Sequence, residues 1–189
     1  MLPHMDSDGL IYFKNQIAQS SVFLEYGCGG STIYALNQEN IQKVISVDTD
    51  NAWISKVNQQ ANINKLSLTH IDLGEVGDWG TPKTTTNFKD FYSYSTTPWQ
   101  VAKQNDYNVN LVFIDGRFRV SCFLYSLIAA NEGTIIIFDD YYDRPYYFVV
   151  EEFCQPIHKA GRAGVFKVHK HFDTSKLVMT YGKYISDWA

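Results

Sequence analysis

The run Val22-Phe-Leu-Glu-Tyr-Gly-Cys-Gly-Gly-Ser31 constrains this chain more than any other ten residues. An apolar stretch of strand character ends in an acid, a glycine-rich turn follows at once, and Thr32-Ile-Tyr-Ala-Leu36 then opens a helical pattern. A strand, a tight turn and a helix in immediate succession are the βα unit of a parallel sheet, and such a unit aims backbone N–H groups at whatever lies beyond the strand end. Glycine suits the turn because a Cβ would block both positive φ and the close approach of a ligand to the backbone. Glu25 stands ahead of Gly27 and Gly29, where a carboxylate repels a pyrophosphate and suits a cationic or amino-acid-like ligand. Thr32 holds the position of the last glycine in a GxGxxG pattern, which argues against a nicotinamide dinucleotide.

The same alternation continues along the chain. Asp6 or Ser7 caps a first helix carrying Leu10, Phe13 and Ile17 on its apolar side. Strands are expected at residues 22–26, 43–48, 66–72, 109–115, 134–140, 164–169 and 177–181. Helices are expected at 31–37, 51–62, 121–131 and 146–153. The short Asp173-Thr-Ser-Lys176 turn makes the last two strands an antiparallel hairpin. The pattern predicts an α/β domain with three layers, a doubly wound, mainly parallel, seven-stranded sheet and a C-terminal antiparallel hairpin. The 189 residues make one domain, 1–189. Residues 74–99 break the rhythm with three glycines, two prolines and six aromatic residues, and are expected to form a flap inserted over a site.

Composition removes several function classes. A net charge of −4 without a dense basic cluster argues against nucleic acid as a partner. No apolar run reaches membrane-spanning length, and the start of the chain lacks the regions of a signal peptide, so no membrane partner and a cytoplasmic location are expected. Cys28, Cys122 and Cys154 are too far apart for zinc and too few for a disulfide framework. Cys28 lies where a helix N-terminus could lower its pKa, yet reads better as a small side chain than as a nucleophile. His70 reads as a packed strand histidine.

Five expected strands end in a carboxylate: Glu25, Asp48, Asp72, Asp115 and the pair Asp139–Asp140. In an open parallel sheet, ligands bind outside the carboxyl ends of the strands, so acids gathered along that one edge point to a binding site.

With Glu25-Tyr-Gly-Cys-Gly-Gly30, Val47-Asp48 and Phe113-Ile-Asp-Gly116 in this order, the chain resembles the class I S-adenosylmethionine-dependent methyltransferases over roughly residues 20 to 183. The resemblance implies a Rossmann-like methyltransferase fold with S-adenosylmethionine as cofactor. It assigns Glu25, Gly27 and Gly29 to the methionine part, Asp48 to the ribose hydroxyls and Asp72 to the vicinity of the adenine. Ser31 stands where the family often has a third glycine. Asp115 and Asp139-Asp140 are similar to the cation ligands of catechol-type and caffeoyl-type O-methyltransferases, with Asp140 in place of the usual amide. Three carboxylates suit Mg²⁺, Mn²⁺ or Ca²⁺, which would acidify a hydroxyl and hold it in line. A weaker similarity, to xylan-type glucuronate methyltransferases, makes a sugar acceptor conceivable.

The leading expectation is O-methylation of a small molecule or sugar, with Asp115 and Asp139 as catalytic residues. Asp139 could act alone as the base, with Asp140 capping the next turn. Arg117, Arg119 and Arg144 suit a carboxylate or phosphate on the acceptor, although Arg119 reads more readily as part of a surface ion pair. The alternatives are another group transfer on the same scaffold, such as aminopropyl transfer, and a non-catalytic cofactor-binding module.

Overall fold

The computed structural model describes residues 1–189. Seven strands form one sheet: β1 (Val22–Tyr26), β2 (Lys43–Asp48), β3 (Leu66–His70), β4 (Leu111–Ile114), β5 (Ile135–Phe138), β6 (His158–Ala160) and β7 (Ala163–Lys167). Their order is β3-β2-β1-β4-β5-β7-β6. The first five are parallel, with β7 antiparallel to both β5 and β6. The order reverses between β1 and β4, the place where an open α/β sheet leaves a crevice at its carboxyl edge.

The helices are α1 (Ser7–Ala18), α2 (Gly30–Leu36), α3 (Asn51–Asn58), α4 (Tyr92–Gln104), α5 (Arg119–Ala129) and α6 (Thr174–Tyr184). Alternation along the central strands divides the core in two. Val22, Leu24 and Tyr26 of β1 join Val112, Ile114, Ile136 and Phe138 beneath α4 and α5. Phe23, Leu111, Phe113 and Ile137 point the other way, onto Phe13 and Ile17 of α1 and Ala35 and Leu36 of α2. Each fully buried side chain of this size contributes about 1.5–3 kcal/mol, so the apolar strand residues hold all three layers together.

Three expectations are corrected. Residues 177–181 belong to α6, not to a strand. The Asp173 carboxylate accepts the Lys176 N–H at 3.0 Å as an N-cap, and Leu177 and Thr180 are buried. The antiparallel hairpin is formed instead by β6 and β7, joined at Gly161-Arg162. The second correction concerns residues 74–99. From Tyr92 onward the chain is α4, with Tyr94, Pro98 and Trp99 buried in the core. The Trp99 indole donates to Tyr26 Oη at 3.0 Å, and Tyr26 Oη donates to the Ser95 carbonyl at 2.8 Å. Before α4 lie two single 3₁₀ turns, Asp78–Gly80 and Phe88–Asp90. The third is the helix expected at 146–153, which is a 3₁₀ segment, Pro145–Glu152, and not an α-helix.

Candidate functional site

A cavity of 670 Å³ opens at the carboxyl edge of the sheet, within the ~300–1,000 Å³ usual for small-ligand sites. Its floor is the glycine loop. Gly27 has φ +89°, and a Cβ there would lie 2.8 Å from the Gly116 Cα, so the loops after β1 and β4 approach more closely than any side chain permits. The Gly27 N–H donates to the Val47 carbonyl at 2.9 Å, which binds the loop to β2 as well. Gly29 also lines the cavity.

Glu25 does not line it. Alternation turns this side chain to the α1–α2 face, where it is fully buried and accepts from the hydroxyls of Ser31, Thr32 and Ser46. Burial pushes its carboxyl up to about 7, and the three hydroxyls oppose that rise. Direct contact between Glu25 and a ligand is therefore corrected. The residue anchors the first turn of α2 from beneath, and Ser31 serves as one of its partners.

Asp48 does reach the cavity. Its Oδ1 accepts the N–H groups of Thr49 at 2.7 Å and Asp50 at 3.0 Å, and its Oδ2 accepts that of Cys28 at 3.0 Å. Burial raises its pKa against these three donors. A carboxylate offers about four acceptor positions, so one remains for an outside donor. Asp50 stands beside it on the cavity wall. The Trp53 indole donates to the Cys28 carbonyl at 2.6 Å, and Trp53 and Trp79 complete this end. Burial, with Asp48 and Glu25 nearby, drives the Cys28 thiol far above its ordinary pKa, opposite to the effect expected of a helix N-terminus.

Asp72 is exposed and outside the cavity. Its Oδ1 accepts the Gly74 N–H at 2.9 Å in a local turn, and Trp79 and Gly80 supply the wall it was expected to provide.

The other three acids gather beyond β4 and β5. Ligand oxygens of Asp115, Asp139 and Asp140 lie within 4.8 Å of one another, close enough for a metal centre. Three arginines already occupy them. Arg162 grips both oxygens of Asp139, at 2.7 and 3.0 Å, and reaches Asp140 Oδ1 at 2.9 Å. Arg119 bridges Asp115 Oδ1 at 3.0 Å and Asp140 Oδ2 at 3.2 Å, and Arg144 meets Asp140 Oδ2 at 3.0 Å. Three guanidinium charges balance three carboxylates through short, directed contacts, so these donors do not fit a divalent cation. Arg119 is buried, not a surface residue. Asp139 is buried behind the cavity wall with both oxygens engaged, which corrects its assignment as a free general base.

Asp115 remains available. It lines the cavity, one-third of its side chain is exposed, and its carboxyl is pushed up to about 7. Burial is the main cause, Arg119 opposes it, and Asp139 and Asp140 reinforce it.

Sequence reasoning missed Arg162, which reaches the acids from the tip of the β6–β7 hairpin, as well as the cavity-facing Trp53, whereas Trp79 belongs to the segment expected over the site and does line the cavity. The Gly161-Arg162 pair just ahead of the apolar run Ala163-Gly-Val-Phe166 was the signal for that turn.

No family model matches the chain, and no curated protein sequence does. Solved structures do. A methyltransferase-like protein from Silicibacter pomeroyi is 27% identical with a TM-score of 0.87, and the match covers 98% of this chain and 97% of that one. A methyltransferase from Geobacter sulfurreducens is 11% identical with a TM-score of 0.54, covering 90% of this chain and 82% of that one. The N-methyltransferase NodS from Bradyrhizobium japonicum, in complex with S-adenosylhomocysteine, is 12% identical with a TM-score of 0.50, covering 87% and 90%. With the strand order, the final antiparallel strands and the glycine loop at the switch point, these likenesses identify the fold of the chain as that of the class I S-adenosylmethionine-dependent methyltransferases.

Proposed function

We propose that the protein is an S-adenosylmethionine-dependent methyltransferase acting on a hydroxyl of a small molecule or sugar. The observation that carries this reading is a single cavity walled by the glycine loop, Asp48 and Asp115 on a methyltransferase fold. The donor set fits the cofactor. Asp48 keeps one acceptor position for a ribose hydroxyl, and Asp48 with Asp50 makes that end of the cavity acidic, which favours a cationic ligand.

When bound, S-adenosylmethionine supplies an electrophilic methyl group on a positively charged sulfur. The residues of this chain do the rest. Asp115, with a pKa near neutrality, takes the proton of the acceptor hydroxyl at Oδ2, while Arg119 fixes Oδ1 and thereby the plane of the carboxylate. Such positioning of an acceptor and its base accounts for several kcal/mol of a transfer barrier. The likeness to the methyltransferase-like protein from Silicibacter pomeroyi supports methyl transfer.

Calorimetric titration with S-adenosylhomocysteine tests the reading. Wild-type protein is expected to bind in the micromolar range, and Asp48→Ala to lose at least tenfold in affinity, the equivalent of one charge-assisted hydrogen bond of about 1.5–3 kcal/mol. A folded wild-type protein that does not bind overturns the assignment.

A further inference from the structure

The arginines at the acidic end of the cavity are not all alike. Arg119, Arg144 and Arg162 each hold a carboxylate. Arg117, on the same cavity wall, makes no ion pair, and its buried Nε has no hydrogen-bond partner. Only its backbone is fixed, the N–H donating to Tyr94 Oη at 3.2 Å. With Asp115, Asp139 and Asp140 set against Arg117, Arg119, Arg144 and Arg162, this end carries one positive charge too many.

An unpartnered guanidinium in such a place is costly. Burial and then the nearby Arg119 pull the Arg117 pKa down, and Arg144 adds to the repulsion. A flexible side chain without a function here would swing to water, or the position would hold an uncharged residue. An incoming oxyanion removes the penalty, because it satisfies Nε, offsets the surplus charge and meets a planar fork that accepts two oxygens.

We propose that Arg117 is the anchor for an oxyanion, a carboxylate or a phosphate, carried by the methyl acceptor. The assignment rests on the methyltransferase reading. It goes to the acceptor and not to the cofactor because Arg117 follows β4 on the same cavity wall as Asp115, the proposed base, whereas Asp48 and Asp50 lie at the carboxyl end of β2. Arg144, over the Tyr147 ring at 5.9 Å and donating to Tyr147 Oη at 3.1 Å, forms the neighbouring wall. The acceptor is thus an acid, such as a hydroxylated carboxylic acid, a uronic acid or a phosphate monoester, with its hydroxyl near Asp115.

The test uses wild-type protein, Arg117→Gln and Arg117→Lys, each first titrated with S-adenosylhomocysteine and then, when saturated with it, with benzoate, inorganic phosphate and neutral benzamide. Wild-type protein is expected to bind at least one anion and not benzamide. Arg117→Gln should weaken that anion tenfold or more, Arg117→Lys should weaken it less, and both should bind S-adenosylhomocysteine within twofold of wild type. Removal of a half-buried charge that makes no ion pair should also leave the melting temperature of ligand-free Arg117→Gln equal to or above that of wild type, so the variant stays measurable. Loss of S-adenosylhomocysteine affinity in Arg117→Gln would assign the anion to the cofactor and overturn the proposal. So would anion binding unchanged in that variant, or none in the saturated wild-type protein. Failure of wild-type protein to bind S-adenosylhomocysteine at all would overturn the methyltransferase reading together with the acceptor assignment.

Discussion

Arg162 holds both carboxylate oxygens of Asp139, Nη2 to Oδ2 at 2.7 Å and Nε to Oδ1 at 3.0 Å, and so fastens the tip of the β6–β7 hairpin to the end of β5. Asp139 is buried, while about a quarter of the Arg162 side chain is exposed. The pair belongs to the class in which removal of one partner costs more than the pair itself contributes. Asp139→Ala should destabilise the protein by about 3 kcal/mol, and Arg162→Met combined with it should recover part of that loss. Urea unfolding of the two single variants and the double variant measures the coupling. Additive losses would mean that the contact contributes nothing.

The same network decides the response to metal. A cation entering among Asp115, Asp139 and Asp140 would have to displace three guanidinium groups from the oxygens it needs. Millimolar Mg²⁺, Mn²⁺ or Ca²⁺ should therefore leave the melting temperature unchanged, and EDTA should do the same. A rise with any one of them, lost in Asp140→Asn, would restore a metal role for the cluster.

The fold was largely readable because its strongest signals are local. The first two strands follow from apolar runs closed by an acid, and their observed bounds, Val22–Tyr26 and Lys43–Asp48, are those expected. Two helices were hidden for different reasons. In α4 the apolar stripe of Phe91, Tyr94, Pro98 and Ala102 is helical in period, but the glycines, threonines and prolines around it look like a loop. In α6 the run Leu177-Val-Met-Thr-Tyr181 has strand-like composition. Only the Asp173 cap and the spacing of Leu177, Thr180, Tyr181 and Tyr184 show the helical face. The site was readable as a row of acids and unreadable as a network. Which acids would meet arginine depended on where the hairpin tip carried Arg162, a matter of tertiary packing that no local pattern encodes.

Asp115 is expected to act in turnover and not in cofactor binding. Asp115→Asn should lower the rate constant for methyl transfer by about 10²–10⁴-fold, as removal of a general base does, and leave S-adenosylhomocysteine affinity within about twofold. The wild-type rate should rise with pH through about 7, as the carboxyl loses its proton, and this limb should be missing from the variant. An acidic acceptor, once found, allows both measurements. An unchanged pH profile in Asp115→Asn would remove the residue from the mechanism.

Glu25 gives the stability of the protein a pH dependence whose sign is fixed by its burial. The folded carboxyl titrates at about 7 against an ordinary value of 4.5. Below the ordinary value both folded and unfolded chains hold the proton and no penalty exists. Between the two values the unfolded chain gives up its proton while the folded chain keeps it, so the unfolded state gains and stability falls as pH rises. Above the folded value the whole cost is present, about 3 kcal/mol for a shift of this size. Glu25→Gln carries no proton to lose, though it must turn its amide toward Ser31, Thr32 or Ser46, and so starts from a stability of its own. What should change is the difference between the two proteins. From about pH 5 to about pH 8 it should move by about 3 kcal/mol in favour of glutamine, measured by urea unfolding at each pH. Parallel stability curves would mean that the folded protein holds Glu25 ionised at no cost, and that its three hydroxyl partners outweigh its burial.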